Sequence, residues 1–331
     1  MRFLPHELAP WQQRLGLSLW GVLMCMAAAV ALIPPSQLPL LPVILEPIRH
    51  HVLPEKAMFG PLAYMVLITA VVWFETRRPC RPQPILSVSF RQDLMWYAIR
   101  LVSFVFLLGA YAKLLEAIYH RYFDYLTLDI VAEWHPAVRF IVAVLVTDFL
   151  RWLSHLIRHK VPVFWAFHAV HHSQRELNLF TDARVHPVDL MISSTIKFLP
   201  MFMFQNAFPI VLLWAIWETV YPKFYHANVK LNLGPLRYIL VTPQSHRIHH
   251  SREPEHADRN FGFNFCIWDR LFGTHWNGSE DYPETGIDDA GFPHESTGGL
   301  RVLCINFCLQ LLYPFRTVYA MGRERIAAGR N

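Results

Sequence analysis

The chain has 331 residues, of which 53% are hydrophobic and 17% are charged, and its formal net charge at pH 7 is +5. Because globular domains average about 25% charged residues, this composition indicates a membrane protein and argues against a disordered chain or a disulfide-rich secreted fold. The five cysteines are an odd number and include no C-x-x-C pair, so we expect free thiols. The basic residues are scattered along the chain, which does not favour nucleic acid as a partner.

Four apolar segments in the first half of the chain predict transmembrane helices. They cover residues 15–33, 57–74, 94–112 and 138–153. A helix needs about 20 apolar residues to cross a bilayer core of about 30 Å, and these segments approach or meet that length. The first segment is longer than the apolar stretch of a signal peptide, so we interpret it as a retained helix.

The charges of the loops between these segments predict their orientation. The loop 75–93 carries several arginines, whereas the loop 113–136 is acidic. By the positive-inside rule, the first loop lies in the cytoplasm and the second on the opposite side of the membrane. The fourth apolar segment then places His155 and His159 at the cytoplasmic face of the membrane. This membrane is the inner membrane in a bacterium or the endoplasmic reticulum membrane in a eukaryote.

Two further apolar stretches follow. The stretch 188–217 separates His186 from His226 and is too short for two full crossings, so it predicts a shallow membrane hairpin that turns near residues 205–209. The alternative is a single span, which would place the later histidines across the membrane from His155. The run 302–315 is followed by arginines and predicts an interfacial amphipathic helix.

Three histidine clusters carry the chemistry of the chain. They are His155-x-x-x-His159, His168-x-x-His171-His172 and His246-x-x-His249-His250. On a helix, residues three and four positions apart share a face, so each cluster can present several imidazoles to one point. Imidazole nitrogen is a suitable ligand for iron, zinc, copper and nickel.

The number of histidines predicts two metal ions rather than one. With the single histidines His186 and His226, the clusters exceed the roughly four to six ligands of one metal, and they suit two ions a few Å apart. An all-histidine site leaves the metal charge uncompensated. We expect negative charge from bound oxide or hydroxide, or from nearby acidic residues, namely Asp182, Asp189, Asp258 or Asp269.

The clusters and the residues around them resemble the fatty acid hydroxylase/sterol desaturase superfamily of membrane di-iron oxygenases. The match extends from Asp148 to Thr274. It includes the strings Arg184-Val-His186-Pro187, Phe224-Tyr-His226-Ala-Asn228, Asp258-Arg-Asn260-Phe-Gly262 and Ile267-Trp268-Asp269-Arg270-Leu271-Phe272-Gly273-Thr274. The string Asn232-Leu-Gly234-Pro235 is most similar to the alkylglycerol monooxygenase-like branch.

The resemblance implies an O₂-dependent oxidation of a lipid, which is a fatty acyl chain, a sterol or an ether lipid, by hydroxylation, desaturation or oxidative cleavage. It implies two iron ions in an all-histidine site and electrons from a separate reductase, ferredoxin, small haem protein or pterin. The implied metal ligands are His155, His159, His168, His171, His172, His246, His249 and His250, and His186 and His226 are implied either as further ligands or as residues in contact with the ligands. The residues implied to orient these imidazoles are Asp258, Asn260, Trp268 and Asp269. For Asn260 and Trp268 the alternative role is helix capping and packing.

We therefore expect an all-α integral membrane protein with about four transmembrane helices, a shallow membrane hairpin and a cytoplasmic, histidine-rich helical cap. Residues 1–136 would form the N-terminal membrane helices, 137–280 the di-iron catalytic domain, and 281–331 a C-terminal loop and interfacial helix. Two other functions compete with the oxygenase. A zinc-dependent membrane hydrolase would have a carboxylate inside its ligand motif, as in H-E-x-x-H, and a metal transporter would place histidines along its spans.

Overall fold

The computed structural model describes residues 59–84, 86–128, 133–204 and 212–328. These residues form helices joined by loops, with β structure limited to isolated bridges, so the predicted all-α class is confirmed for them. The helices are α1 (Phe59–Arg77), α2 (Val88–Tyr122), α3 (Pro136–Lys160), α4 (Pro162–His172), α5 (Pro187–Met203), α6 (Leu212–His226), α7 (Pro243–His249), α8 (Ile267–Leu271) and α9 (Leu300–Ala328).

Three of the described helices are long and apolar enough to cross a membrane. They cover Val88–Tyr122, Pro136–Lys160 and Leu300–Glu324. The first two contain the predicted segments 94–112 and 138–153, and the predicted segment 57–74 overlaps α1. The predicted helix 15–33 and the predicted hairpin turn at 205–209 lie outside the described residues. The chain is thus a membrane protein, and its exact number of spans stays a prediction.

The C-terminal helix differs from the expectation of an interfacial helix over residues 302–315. Helix α9 is longer than that run, and its N-terminal half is buried against α2 and α4. Asn306 and Gln310 give the sequence the polar positions of an amphipathic helix, yet both side chains are fully buried. Gln310 accepts a hydrogen bond from Trp96 Nε1 at 3.0 Å and donates to the carbonyl oxygen of Pro293 at 3.1 Å. These internal partners allow the polar face to pack inside the protein.

A sharp turn between α3 and α4 places the histidines of the two helices opposite each other. Helix α3 ends at Lys160, and Val161 is extended because the following proline, Pro162, disfavours helical geometry in the residue before it. Pro162 then occupies the first turn of α4, where its missing N–H is not needed. The last turns of α3 and the whole of α4 therefore lie side by side, with one extended residue between them.

The helices that carry histidines pack into one unit. Helix α3 packs against α4 and α5, α6 packs against α7, and α9 packs against α4. An apolar cluster of Trp96, Ala169, Val170 and Phe307 joins α2, α4 and α9 on the side of α4 that faces away from the histidines. This core fixes α4, which supplies three of the clustered histidines.

A buried ion network also fixes the segment that follows α4. Arg184, whose side chain is fully buried, donates from Nε to Asp93 Oδ1 at 2.6 Å, and its Nη2 lies 2.5 Å from Glu295 Oε1. Asp93 belongs to α2, and Glu295 precedes α9. Asp93 also accepts hydrogen bonds from Gln174 and Asn178. The network therefore ties the loop after α4 to two other parts of the fold.

Candidate metal centre

Nine of the ten histidines predicted as ligands converge in two adjacent groups. Within each group the candidate ligand atoms all lie within 4.8 Å of one another. The first group, called the five-histidine group, contains His155, His159, His168, His172 and His249. The second, called the four-histidine group, contains His171, His226, His246 and His250. All of these side chains are buried except that of His159, which is partly buried.

The two groups divide each H-x-x-H-H cluster between them. His168 and His172 are four residues apart on α4 and join the five-histidine group, whereas His171 points to the four-histidine group. In the last cluster the division is reversed, because His246 and His250 share the four-histidine group and His249 belongs to the other. The stacked rings of His172 and His250, whose centroids are 4.4 Å apart, mark the boundary between the groups.

The ring nitrogens within each group are spaced as ligands of one ion would be. In the five-histidine group, His155 Nε2 lies 3.1 Å from His168 Nε2 and 3.0 Å from His249 Nε2. In the four-histidine group, His226 Nε2 lies 3.2 Å from His171 Nε2 and 2.9 Å from His246 Nε2. Two nitrogens bound at right angles to a metal, each at about 2.1 Å, are separated by about 3.0 Å.

Backbone carbonyl groups determine which nitrogen of several imidazoles faces the centre. His155 Nδ1 lies 3.0 Å from the oxygen of Phe261, and His249 Nδ1 lies 2.8 Å from the oxygen of Arg259. A carbonyl oxygen only accepts, so each Nδ1 donates and each neutral ring presents the lone pair of Nε2. Two such lone pairs, 3.0 Å apart and buried, repel each other unless a cation lies between them. The donor set therefore fits a metal ion.

His226 follows the same pattern in the four-histidine group. Its Nδ1 donates to the oxygen of Pro222 at 2.6 Å, which leaves the Nε2 lone pair directed at His171 and His246. Burial lowers the pKa of His226 to about 4. Burial also lowers the pKa values of His171, His172, His246, His249 and His250 well below 6.5, and neighbouring imidazoles lower them further. The neutral imidazoles that result are the form that binds metals.

Two carboxylates contact the five-histidine group from outside. Asp189 Oδ2 lies 3.0 Å from His168 Nδ1 and is also paired with Arg158. Asp258 Oδ1 lies 3.6 Å from His159 Nδ1, and its other oxygen accepts from Lys160 at 2.5 Å. Hydrogen bonding from His159 and Lys160 holds the pKa of Asp258 well below its usual value. Both carboxylates approach Nδ1, so they add negative charge without replacing an imidazole at the centre.

The other three residues predicted to orient the imidazoles act through the loop 258–265. Asp269 accepts from the backbone N–H groups of Phe261 and Gly262, both at 2.8 Å, and from Trp152 Nε1 at 2.9 Å. This bonding holds the segment that supplies the carbonyl group to His155. Trp268 does not touch a histidine, since its Nε1 donates to Asp148 at 2.9 Å, and Asp148 also binds the backbone N–H of Asn264.

The backbone of this loop explains why Asp, Asn and Gly occur in its motif. Asp258 and Asn260 have φ values of 59° and 57°, a left-handed conformation that Asp and Asn adopt more readily than most residues. Asn260 also donates to the oxygen of Ser245 at 2.9 Å, which ties the loop to α7. Gly262 has no room for a side chain, because an added Cβ would lie 2.6 Å from the oxygen of Phe265.

His186 is the one predicted ligand that the structure does not bring to either group. It is the residue before α5, where its Nδ1 accepts from the N–H of Val188 at 3.1 Å and Pro187 occupies the first helical position. Its Nε2 lies 3.1 Å from the oxygen of Leu311 in α9. Both ring nitrogens are therefore used in capping α5 and docking α9, which does not fit the predicted ligand role.

Several supporting groups were not foreseen from the sequence. The carbonyl groups of Pro222, Arg259 and Phe261 orient histidines, and carbonyl groups are common to all residues, so no sequence signal identifies them. Arg158 could have been suspected, because it lies between the histidines of the first cluster. Asp182 does not contact a histidine ring through a hydrogen bond and instead pairs with Lys223 and Arg100. His256 lies outside both groups, with Nδ1 2.9 Å from Ser251 Oγ.

Comparison with known proteins shows what the segment that contains this site is similar to. Residues 140–274 match the family model described as fatty acid hydroxylase. The ornithine lipid hydroxylase OlsE of Rhizobium tropici is 30% identical over 195 residues, which are 59% of this chain and 54% of that protein. The human alkylglycerol monooxygenase is 33% identical over 242 residues, which are 70% of this chain and 49% of that protein.

The alkylglycerol monooxygenase of Xenopus tropicalis is 35% identical over 230 residues, which are 66% of this chain and 47% of that protein. The chain thus spans about half the length of the curated relatives it matches. No solved structure matches it. Residues 140–274 thus resemble fatty acid hydroxylase domains, and the predicted resemblance to this superfamily and to its alkylglycerol monooxygenase-like branch is confirmed.

Proposed function

We propose that the chain is a membrane-bound, non-haem di-iron oxidoreductase that uses O₂ to hydroxylate, desaturate or oxidatively cleave a lipid. The observation that carries this proposal is the pair of adjacent imidazole groups, in which Nε2 atoms about 3 Å apart converge at two points. No carboxylate belongs to either group among the described residues. Such an arrangement suits two metals that act together on one small molecule.

The five-histidine group would hold one iron and the four-histidine group the other. When bound, the iron pair supplies the redox chemistry by which O₂ oxidises an unactivated C–H bond. The chain's own residues hold the nitrogen lone pairs in place, through the carbonyl groups of Phe261, Arg259 and Pro222. Asp189 and Asp258 place negative charge next to the cationic centre and fix the rings of His168 and His159.

The position of the site at the end of a membrane helix supports a lipid substrate. His155 and His159 lie in the last turns of α3, which is long and apolar enough to span a membrane. A lipid could reach this position while its tail stays in the hydrocarbon region. The named relatives act on ornithine lipid and on alkylglycerol, so we propose these two lipid classes as the first substrates to examine.

We propose that the site lies on the cytoplasmic face of a multi-pass membrane protein, as the arginines of loop 75–93 predict. The reaction consumes two electrons in addition to those taken from the C–H bond when a hydroxyl group is formed. We propose that a separate reductase, ferredoxin, small haem protein or pterin delivers them.

The competing functions fit this geometry less well. In a hydrolytic zinc site, a carboxylate acts as general base beside the metal-bound water, whereas Asp189 and Asp258 approach only the outer nitrogen of their histidines. A transporter would distribute its histidines along a path through the membrane. Here nine histidines from four helices and one helix end meet in two compact groups.

Isotope labelling of the product tests the proposed reaction. The purified protein, supplied with iron, a chemical reductant and either alkylglycerol or ornithine lipid, is incubated under ¹⁸O₂. A hydroxylated product should carry one ¹⁸O atom, a desaturated product should lack two hydrogens, and neither should form without O₂. Product that forms at the same rate without O₂ and takes its oxygen from water would contradict the proposal and favour a hydrolase.

A further inference from the structure

An exposed apolar surface lies near the metal centre and outside the three candidate spans. It is formed by Leu236, Tyr238 and Ile239, and by Leu271 and Phe272 at the end of α8; we call these five residues the cap surface. Each of these side chains is between 52% and 71% exposed. A contiguous surface of large apolar side chains outside the core indicates an interaction site.

The two segments of the cap surface form one unit. The N–H of Cys266 donates to the oxygen of Ile239 at 2.9 Å, and Cys266 Sγ lies 3.2 Å from the oxygen of Arg237. Leu240 and Phe265 form a β-bridge beside these contacts. The surface is therefore held by backbone bonds and does not depend on the side chains that it exposes.

The cap surface continues the exposed apolar face of α3. Phe272 stacks on Trp152 at a centroid distance of 4.7 Å and on Phe149 at 6.0 Å. The exposed residues Val138, Ile141 and Leu145 precede Phe149 on α3 at intervals of three or four residues, so they share its face. The stripe that a spanning α3 presents to lipid thus leads directly to Phe272.

The charges around the cap surface match an anionic partner. The guanidinium groups of Arg237 and Arg270 both lie 5.1 Å from the ring of Tyr238. No acidic residue occurs in 234–241, and the nearest acidic residue of α8, Asp269, is buried and hydrogen-bonded. Aromatic rings with arginines at the edge of an apolar surface are typical of segments that lie in the headgroup region of a bilayer.

We propose that the cap surface lies in the headgroup and acyl boundary of an anionic phospholipid bilayer and contacts lipid directly. The same short helix, α8, carries Leu271 on the cap surface and Asp269, which binds the N–H of Phe261. The carbonyl group of Phe261 in turn orients His155. Contact with lipid therefore sets the depth of the metal centre relative to the membrane surface. This inference rests on the membrane placement of α3 and not on the reaction catalysed.

Spin labels at two positions of the cap surface test the proposal without any activity measurement. Leu271→Cys and Leu236→Cys are labelled in the full chain, in nanodiscs that contain phosphatidylglycerol. Glu255→Cys is the control, since Glu255 is exposed, lies between α7 and α8, and is not one of the five residues of the cap surface. Unsubstituted protein gives the background from native cysteines, and the iron content of each variant shows that its metal centre is intact.

We expect the labels at 271 and 236 to collide several-fold more often with O₂, relative to a water-soluble nickel chelate, than the label at 255. Equal ratios at all three positions would place the surface in water and overturn the proposal. Shielding from both reagents would also overturn it, because a protein segment or a second copy would then cover the surface. Phosphatidylglycerol should increase the ratio of O₂ to nickel collisions at 271 and 236, and this increase should be smaller in the double variant Arg237→Gln/Arg270→Gln. An increase of the same size in the variant would contradict the role of the arginines.

Discussion

A hydrogen bond from Nδ1 to a backbone carbonyl group decides how His155 and His249 can act. With that bond in place, the only free position on each ring is the Nε2 lone pair, and the two lone pairs meet 3.0 Å apart. The chemistry of the site thus depends on the positions of the backbone carbonyl oxygens of Phe261 and Arg259. The ring of Phe261 also packs against the rings of His155 and His249.

The first prediction compares histidines inside and outside the two groups. His249→Ala and His171→Ala each remove one nitrogen, from the five-histidine and the four-histidine group respectively, and should abolish metal binding at that group together with lipid turnover. His186→Asn is the matched control, because asparagine retains the capping of α5 and His186 ligates nothing in this account. Metal per chain, measured by mass spectrometry of the purified proteins, checks this. Loss of metal in His186→Asn with full retention in His249→Ala would refute the assignment.

A second prediction uses the pH dependence of stability at His186. Burial lowers the pKa of His186 to about 4, whereas an unfolded histidine has a pKa of about 6.5. Between these values the unfolded chain binds a proton that the folded chain does not, so the free energy of unfolding falls as the pH falls from 6.5 to 4. This histidine alone contributes about 1.4 kcal/mol per pH unit in that window.

Thermal unfolding of the wild-type protein and His186→Asn at several pH values measures this contribution. The difference in stability between the two proteins should be constant above pH 6.5 and should shift in favour of the variant below it. A difference that does not change with pH would show that His186 binds a proton equally well in both states.

The third prediction concerns the crowded glycine of the loop 258–265. Gly262→Ala would place a Cβ 2.6 Å from the oxygen of Phe265 and 3.0 Å from Asp269 Oδ2. The loop must shift, so Phe261 would no longer orient His155, and iron content and melting temperature should both decrease. Gly299→Ala is the control, since a Cβ there meets no atom within 4 Å. Equal behaviour of the two variants would contradict this account of the loop.

At the scale of helices, the sequence predicted which histidines share a helix face but not how the faces divide. The i, i+4 pairs His155/His159, His168/His172 and His246/His250 each stay together, as helical geometry requires. His171 and His249, which are each adjacent in sequence to one of these residues, turn to the opposite group. The direction in which these two side chains point depends on how α4 and α7 are rotated about their axes. Packing of α4 against α9, and of α7 against α6, determines that rotation.

His186, which lies outside both histidine groups, illustrates a second limit of the sequence. The string Arg184-Val-His186-Pro187 lies between two clusters, and its histidine resembles the other candidates. The structure shows that Pro187 begins α5 and that His186 caps it. A histidine directly before a proline at the start of an apolar run could have indicated a helix cap. The contact of His186 with Leu311 could not have been foreseen, because it joins residues more than a hundred positions apart.

The fourth prediction tests the ion network that ties α2 to the segments before α5 and α9. Arg184→Ala leaves the buried carboxylates of Asp93 and Glu295 without their common partner, which should destabilise the protein by about 3–5 kcal/mol. Arg252→Ala is the control, because Arg252 pairs with Asp288 at the surface, where such pairs contribute little. Melting temperatures of the two variants measure the difference. Similar temperatures for both would show that the network is not needed for stability.

At the scale of the whole molecule, membrane helices and metal centre are parts of one structure. Helix α3 has the composition of a span and also supplies two histidines, and α9 packs against the helix that supplies three more. The proposed regions 1–136, 137–280 and 281–331 are therefore segments of the sequence rather than separate structural units. We propose that its parts fold together, since Arg184 of the second region pairs with Asp93 of the first and Glu295 of the third.

That arrangement explains both the low charge content of the sequence and its 18 histidines. Apolar helices provide the membrane frame, and nine of the 18 histidines form the two groups at its end. The composition predicted a membrane protein, and the spacing of the histidines predicted a metal site. The pairing of the histidines, the carbonyl groups that orient them and the cap surface depend on contacts between distant segments, which composition and spacing do not contain.

The metal content of the purified protein tests the central claim most directly. Mass spectrometry of the full chain, purified from cells grown with iron and zinc both present, should find two irons per chain and little zinc. Fewer than one iron per chain in a preparation that turns over its lipid, or zinc in place of iron, would contradict the assignment of the two histidine groups to a di-iron centre.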